Sequence, residues 1–261
     1  MKYSYHVHST NSDGKASIKE IVEYAKKIGL DEVGISDHFH IAKNGHAHPW
    51  DLTEDLLDNY INEVLSFSNL KNPVVKLGLE VEFIPETVEK IKKTILHKPF
   101  DYLIGSVHIV DDEIIDSHTE NVEFVNEDIF NKYWSLVKQM AETKVFDIVG
   151  HIDLTKKFGY RPKKDISKEI DSALLSIKES DMTVELNTSG LFYPAKEQYP
   201  SKEILIKCKN LGIPIIVTAD AHIPENLIRG FDIAFKLLKE IGFTKLAYFV
   251  QRKRFLTDLI I

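Results

Sequence analysis

The strongest constraint on the fold of this chain is a regular alternation between short apolar, β-branched runs and longer amphipathic runs. Eight runs have the composition of strands, and they span residues 4–8, 32–36, 74–83, 102–108, 147–151, 183–187, 213–219 and 246–250. Helix-like stretches lie between them. This alternation predicts an α/β fold in which helices cover a parallel sheet, either as a closed barrel or as an open doubly wound sheet.

Local signals mark where the helices begin and end. Ser17 precedes an amphipathic run and is followed three residues later by Glu20, which predicts a capped helix start. Pro224 opens the last long helical pattern, which we predict to run without interruption to Gly242. Because no linker-like or low-complexity segment interrupts the pattern, we expect residues 1–261 to form one domain.

The charge balance narrows the class of partner. The chain has 40 acidic and 33 basic residues and a formal net charge of −7, so it lacks the basic surface that a nucleic-acid backbone requires. No run approaches the roughly 18 to 20 apolar residues of a membrane span. The only cysteine, Cys208, allows no internal disulfide. These features predict a soluble, cytoplasmic protein without a membrane or nucleic-acid partner.

Six of the eleven histidines fall at or just after the carboxyl end of a predicted strand. They are His6, His8, His38, His108, His151 and His222. In βα barrels and in doubly wound sheets, groups from separate strands converge at that end. One such imidazole is usually a hydrogen-bonded, partly buried side chain, but six on one rim would leave buried polar groups with poor partners.

Three carboxylates share that rim, namely Asp13 in an SDG turn, Glu80 and Asp220. Metal coordination would remove the cost of gathering these groups. Imidazole and carboxylate ligands suit zinc, manganese or iron, and nine ligands suit two or three divalent ions. His6 and His8, two residues apart on one strand face, can bind a single ion. The lack of cysteine ligands argues against a closed structural zinc site.

The motifs HVH, SDG, SDH, GLE, SVH, GH and DAH, in this order and at these spacings, resemble the PHP (polymerase and histidinol phosphatase) superfamily over the whole chain. The phrases FDYLIGSVH, GHIDLTKKFG and VELNTSGL are more narrowly similar to its monofunctional histidinol-phosphate phosphatase branch. The resemblance implies a distorted (β/α)7 TIM-like barrel with a trinuclear metal centre at the carboxyl ends of the strands.

The resemblance also implies which residues hold the ions. It implies three sites, formed by His6, His8, Glu80 and Asp220, by Glu80, His108 and His151, and by Asp13, His38 and His222. In many relatives of this branch a histidine stands near the position of Asp13. The aspartate is therefore expected to alter the metal preference.

The implied activity is metal-dependent phosphomonoester hydrolysis by a hydroxide shared between two ions, with L-histidinol phosphate as the expected substrate. Glu80, Asp220 and His222 are the implied catalytic residues. The alternatives are another small phosphorylated substrate, such as a sugar or nucleotide phosphate, or a metal-binding module without turnover.

Substrate-binding residues are less well marked. Arg161, just after the sixth strand-end motif, is a candidate phosphate ligand or a surface arginine. Asn187 ends a predicted strand, where it either binds substrate or forms a turn. His40 lies in the loop from His38 to Trp50, which is either an exposed loop or a lid or substrate wall of the site. We expect Lys156 and its neighbour at 157 to form a solvated charged face.

One position departs from the family pattern. In the branch that this chain resembles, NTSGL is generally followed by an arginine that helps to hold the phosphate, but here Phe192 takes that place. Arg161, Lys196 or Arg229 could supply the missing cation. The departure leaves the metal centre unaffected and favours the alternative of a different small phosphate.

Overall fold

The computed structural model describes residues 1–43, 51–116 and 128–259. The strands are β1 Tyr3–Ser4, β2 Glu32–Ile35, β3 His38–Phe39, β4 Val74–Leu77, β5 Glu80–Glu82, β6 Ile104–Ser106, β7 Ile109–Val110, β8 Glu113–Ile114, β9 Ile148–Val149, β10 Thr183–Asn187, β11 Ile215–Thr218, β12 Lys245–Val250 and β13 Lys253–Asp258. The helices are α1 Ile18–Lys27, α2 Leu57–Leu65, α3 Val88–Ile95, α4 Asp128–Glu142, α5 Ser167–Glu179, α6 Lys202–Leu211 and α7 Phe231–Ile241.

Seven parallel segments pair in a ring. One sheet has the order β1-β2-β4, and a second has the order β11-β10-β9-β6-β5-β3. β4 continues into β5 and β2 continues into β3, so the two sheets share chain segments. A parallel bridge between Val7 and Ala221, with a hydrogen bond from His8 N to Ala221 O of 2.9 Å, returns from the end of β11 to the first segment. The fold is the distorted βα barrel that the resemblance implied.

Helix starts follow the local signals where the caps are formed. Ser17 and Glu20 make the predicted reciprocal capping box at the start of α1. Ser201 caps α6, and Gly212 ends that helix in the left-handed conformation that glycine adopts at no steric cost. These caps fix the helices of the outer layer.

The prediction of one uninterrupted helix from Pro224 to Gly242 is wrong. The chain instead forms a short 3-10 turn, Pro224–Asn226, and α7 begins only after Gly230. Gly230 has a φ of +78°, which breaks the helical hydrogen-bond pattern between the two pieces. Residues 227–230 therefore form a loop, and this loop carries Arg229 to the carboxyl end of the barrel.

The predicted strand 74–83 is divided into two strands, β4 and β5. Between them, the backbone at Gly78 passes close to the ring of Tyr102. A Cβ at Gly78 would lie 2.2 Å from the ring of Tyr102, so only glycine fits there. Tyr102 is fully buried, stacks on Tyr5 at a centroid distance of 5.0 Å and donates a hydrogen bond to the Tyr5 carbonyl. These rings fill the barrel below the carboxyl-end rim.

The last predicted strand, 246–250, does not join the parallel sheet. It lies in β12, which pairs only antiparallel with β13 to form a hairpin. The hairpin packs near the amino ends of the strands, where the Arg252 guanidinium pairs with the Asp147 carboxylate. Among the described residues, no helix is both long enough and apolar enough to cross a membrane.

Candidate metal centre and active site

All six strand-end imidazoles and all three predicted carboxylates meet at the carboxyl end of the barrel. The His8 ring lies 4.3 Å from the rings of both His38 and His222, measured between centroids. The His108 and His151 rings lie 4.8 Å apart. The topology brings these groups together because parallel strands place their carboxyl ends on one rim.

Glu80 occupies the centre of this cluster. Its carboxylate, 1% exposed, lies within 4 Å of ring nitrogens from His38 and His151 at 2.9 Å, His6 at 3.1 Å, His8 at 3.5 Å and His108 at 3.7 Å. Burial opposes ionisation, but the facing imidazoles of His6 and His38 hold the pKa of Glu80 well below its usual range. One ionised carboxylate thus faces five imidazoles.

Outer carboxylates fix how two of the rings point. His6 Nδ1 lies 2.6 Å from Glu185 Oε1, and His108 Nδ1 lies 2.6 Å from Glu82 Oε2. An ionised carboxylate only accepts, so each Nδ1 donates its proton outward. The Nε2 atoms then face the centre of the cluster. A carboxylate behind a histidine is the usual arrangement around metal-ligating imidazoles.

The inward-facing atoms lack proper partners. His6 Nε2, both ring nitrogens of His8, Asp13 Oδ1 and Glu80 Oε2 are buried and make no hydrogen bond of acceptable geometry to any described residue. Their neighbours are close, but the lone pairs converge on shared space instead of aligning with donors. Such groups would be costly if nothing bound between them.

The facing Nε2 atoms of His108 and His151 make the same point. They lie 3.1 Å apart, and His151 Nε2 is also 2.9 Å from Glu80 Oε1. Since Nδ1 of His108 carries the proton donated to Glu82, its Nε2 is a lone pair unless the ring is charged. With His108 neutral, a proton of His151 or a cation must lie between the two Nε2 atoms; with His108 protonated, its own Nε2 proton lies there.

Four overlapping groups of side chains in the described part of the chain have ligand atoms within 4.8 Å of one another. The groups are His6/His8/Glu80, His6/His151/Asp220, His38/Glu80/His108 and His8/Asp13/His38/His222. The last group contains the three predicted ligands of the third ion together with His8. The division of the nine ligands among particular ions stays a prediction.

The imidazoles differ in how readily they take a proton. Burial, together with the neighbouring rings of His222 and His38, lowers the pKa of His8 to about 4. Burial acts the same way on His108, but the Glu82 carboxylate outweighs it and raises the pKa of His108 to about 10. His8 is therefore neutral near pH 7, the protonation state that a metal ligand requires.

Two local structures hold the rim in place. Asp37 accepts hydrogen bonds from Ser9 N at 2.6 Å, Ser9 Oγ at 2.7 Å and Ser12 Oγ at 2.5 Å, which ties the turn carrying Asp13 to the adjacent segment. Asp220 has a φ of 52°, a left-handed conformation that aspartate tolerates better than most residues. This turn directs Asp220 toward His6 and His8.

A cavity of about 560 Å³ opens above the cluster. Its walls include ligand candidates from five of the predicted motifs and three cations, Lys15, Lys157 and Arg229. A second cavity of about 260 Å³ adjoins it and is lined by Asp13, Asp51, Glu82 and Asp116. Of these two cavities, the three cations line only the larger one, whereas Asp13 and Asp116 line both.

The prediction that residues 156 and 157 form a solvated charged face is wrong. Lys156 is 2% exposed and pairs with Asp153 at 2.7 Å and Glu197 at 2.9 Å. Lys157 lines the larger cavity, and its Nζ lies 2.9 Å from the Asp116 carbonyl oxygen. The loop after β9 turns these side chains inward.

The predicted substrate ligands are placed differently from one another. Arg161 is not among the residues that line either cavity; its guanidinium lies 3.3 Å from Glu197 Oε2, and its side chain is half exposed. Asn187 is fully buried, and its amide nitrogen lies 3.2 Å from Glu185 and 3.4 Å from Asp220. The Asn187 amide therefore contacts carboxylates of the site.

His40 lines the smaller cavity, and its Nδ1 lies 3.0 Å from Asp51 Oδ2. This position is compatible with the predicted wall of the site. Most of the predicted lid loop from His38 to Trp50, namely residues 44–50, lies outside the described residues. The role of that loop stays a prediction.

Sequence reasoning missed two carboxylates. Glu185 contacts His6, His151 N and Thr218, and Asp116 lines both cavities. Glu185 was detectable in principle, because it shares a strand face with Asn187 inside an otherwise apolar run, where a charge needs a partner. Asp116 gave no such signal.

The comparisons with known proteins agree with this geometry. The model of the PHP domain family matches residues 4–189. The chain belongs to the PHP domain family. A protein of Deinococcus radiodurans named "Probable histidinol-phosphatase" is 29% identical over 229 residues, covering 86% of this chain and 87% of that protein. The histidinol-phosphatase of Lactococcus lactis is 27% identical over 263 residues, covering 97% and 96%.

A solved structure shows a ligand-bound relative of the same fold. The crystal structure of histidinol phosphate phosphatase from Lactococcus lactis, in complex with zinc, L-histidinol and phosphate, superposes with a TM-score of 0.80 at 25% identity. It covers 97% of this chain and 98% of that chain. This PHP protein therefore shares its fold with that relative over nearly the whole described barrel.

Proposed function

We propose that this PHP protein is a metal-dependent phosphomonoesterase that hydrolyses L-histidinol phosphate to L-histidinol and phosphate. The observation that carries the proposal is the convergence of unpartnered imidazole and carboxylate atoms around Glu80. The histidinol-phosphatase names of the relatives, and the zinc, L-histidinol and phosphate in the Lactococcus lactis structure, support the same activity.

The donor set fits divalent cations of borderline hardness. Six imidazoles and three carboxylates, with no thiol, suit zinc, manganese or iron. The residues proposed to hold them are His6, His8, Asp13, His38, Glu80, His108, His151, Asp220 and His222. Two or three ions would satisfy the inward lone pairs that no hydrogen bond satisfies.

When bound, such ions lower the pKa of a coordinated water toward neutrality and neutralise charge on phosphoryl oxygens. The chain prepares this chemistry by orienting its ligands. Glu185 accepts a hydrogen bond from Nδ1 of His6, and Glu82 accepts one from Nδ1 of His108. Each ring is thereby held with its Nε2 directed toward the centre of the cluster. Asn187 contacts Asp220 and so limits the rotation of that carboxylate.

The two cavities suit the two ends of the proposed substrate. L-Histidinol phosphate carries an anionic phosphoryl group and a cationic amine. Of the two, Lys15, Lys157 and Arg229 line only the larger cavity, and the carboxylates of Asp51 and Glu82 line only the smaller one. Like-charged walls would oppose the reverse orientation. A sugar phosphate lacks the amine and would leave the acidic wall without a partner.

We propose further that residues 1–261 form one domain that works in the cytoplasm on a small substrate. The buried apolar side chains from Tyr3 to Leu259 form one connected cluster, which supports a single domain. The formal net charge of −7 supports a small phosphate over nucleic acid.

The test is kcat/KM for phosphate release from L-histidinol phosphate by manganese-loaded protein, beside sugar phosphates, nucleotides and a phosphodiester. We expect a value of about 10⁵ M⁻¹ s⁻¹ or more. The other phosphates should react at least about tenfold more slowly, because they lack a group for the acidic cavity. A uniformly weak profile would contradict the assigned substrate, and the best member of the panel would replace it.

A further inference from the structure

Arg229 differs from every other arginine in the described part of the chain. The other three each pair with a carboxylate: Arg161 with Glu197, Arg252 with Asp147 and Arg254 with Asp181. Arg229 lines the larger cavity, and none of the described carboxylates forms an ion pair with it. Its exposed guanidinium therefore has N–H donors to offer to an anion that enters the cavity.

An aromatic ring holds the Arg229 guanidinium in place. Its central carbon lies 3.3 Å from the centroid of the Phe192 ring, so the cation rests on the negative face of the aromatic system. The Phe192 side chain also lines the cavity. A stacked guanidinium loses less rotational freedom when it binds an anion, because the ring has already restricted its motion.

The backbone of Arg229 is fixed to the same turn that carries Phe192. Thr188 Oγ1 donates a hydrogen bond of 2.5 Å to the Arg229 carbonyl, and Thr188 N donates one of 3.0 Å to the Thr218 carbonyl. The next residue, Gly230, has a φ of +78°, and a Cβ there would lie 3.1 Å from Leu191. The two loops therefore form one unit at the rim.

The other cations of the cavity are less suited to this role. Lys157 Nζ already donates to the Asp116 carbonyl at 2.9 Å and lies 3.4 Å from the Asp116 carboxylate. Lys15 offers one flexible ammonium. Arg229 alone combines a planar donor fork, which matches two phosphoryl oxygens, with a support that holds its orientation.

We propose that Arg229 is the residue that binds the phosphoryl group in this site, and that Phe192 is its positioning residue. The assignment rests on the proposed phosphatase function for its biological meaning, but it concerns an anion subsite that can be measured without turnover. The ligand chemistry is a tetrahedral phosphate oxyanion, whether free or esterified.

The experiment is calorimetric titration of inorganic phosphate into the manganese-loaded protein. Arg229→Ala should weaken phosphate binding by about 10- to 100-fold, the loss expected for charge-assisted hydrogen bonds. Arg229→Lys should recover only part of the affinity because it lacks the planar fork. Arg254→Ala, which removes a paired guanidinium on β13, serves as the matched control and should bind phosphate like the unaltered chain.

Phe192 is tested through its dependence on Arg229. Phe192→Leu should weaken phosphate binding by about two- to fivefold, whereas Phe192→Tyr, which keeps the ring, should retain the affinity. In the Arg229→Ala background, Phe192→Leu should have no further effect, since a positioning residue acts only through its partner. An equal loss in both backgrounds would overturn the positioning role.

The outcomes separate this inference from the proposed function. Phosphate affinity within twofold of the unaltered chain in Arg229→Ala, or no phosphate binding by the unaltered chain, overturns the assignment of Arg229. Weakened phosphate binding without hydrolysis of L-histidinol phosphate supports the anion subsite and contradicts the proposed substrate. Melting curves of each variant identify any loss that comes from unfolding.

Discussion

The polar groups at the two ends of the barrel differ in whether they find hydrogen-bond partners within the fold. At the amino end, the Asp147 carboxylate accepts a hydrogen bond of 2.8 Å from Leu103 N and pairs with the Arg252 guanidinium. Asp101 accepts from Leu77 N at 3.1 Å and from Gln251 N at 3.0 Å. Each of these carboxylates meets a donor from the fold itself, so this end is closed by its own contacts.

At the carboxyl end, nitrogen and oxygen atoms face each other without aligned donors. Glu80 Oε2 and His6 Nε2 lie 3.1 Å apart, yet neither makes a proper hydrogen bond to a described residue. Such an arrangement costs stability unless a cation completes it. The polar groups of the amino end, here called the closed rim, therefore stabilise the barrel. Those of the carboxyl end, here called the open rim, are arranged to contact a bound group.

The largest expected effect is at the centre of the open rim. Glu80→Gln removes the negative charge that five imidazoles face, and we expect kcat/KM to fall by at least about 10³-fold. Because this charge serves a bound group, the melting temperature of the chelated protein should change little. Phosphate-release kinetics and thermal melts measure the two quantities.

Glu23→Gln on the exposed face of α1 is the matched control and should leave both quantities unchanged. A large drop in the melting temperature of the chelated Glu80→Gln protein would contradict the comparison, because it would make Glu80 a structural group.

The next effect is at the closed rim. Arg252→Ala leaves Asp147 without its cation and removes a hydrogen bond of 2.6 Å to the Val145 carbonyl. We expect the free energy of unfolding to fall by about 2 kcal/mol. At temperatures where the variant stays folded, kcat/KM should stay within twofold. Urea denaturation and kinetics at 25 °C test this, and a comparable loss of catalysis would remove the distinction between the ends.

The last effect concerns a carboxylate that contacts both the fold and the metal-ligand candidates. Glu185 is fully buried and is bonded by the fold, but its partners include His6 and His151, which face the open rim. Glu185→Gln should weaken metal binding by about 10- to 100-fold, because Nδ1 of His6 loses its charged acceptor. Competition against a chromogenic chelator measures this affinity.

Glu179→Gln, in the last turn of α5, is the control for that measurement and should bind metal normally. Unchanged metal affinity in Glu185→Gln would mean that the carboxylate serves only the packing of β10.

The site was largely accessible from the sequence because strand-end histidines depend on a local pattern. His108 and His151 each follow a short apolar run, and parallel topology alone brings them to one rim. Arg229 was harder to place. The helical pattern around it is continuous in sequence, but Gly230 has a φ of +78°, and a Cβ there would lie close to Leu191 and Thr188, which are distant along the chain.

The hairpin of β12 and β13, at the amino end of the barrel, also could not be predicted from the sequence. The run at 246–250 has strand composition, but composition does not specify its pairing partner, which here is an antiparallel neighbour. Asp116 likewise gave no sequence signal, because its place in the site depends on contacts with a distant residue, Lys157.

By itself, the sequence determined the βα alternation, the rim on which the histidines converge and the chemistry of a metal-dependent site, since these depend on local periodicity and residue type. Only the tertiary structure decided which carboxylates stand behind the imidazoles, that Lys157 turns inward and that Arg229 rests on Phe192. Those contacts join residues far apart in the chain, and packing, charge and backbone conformation select them together.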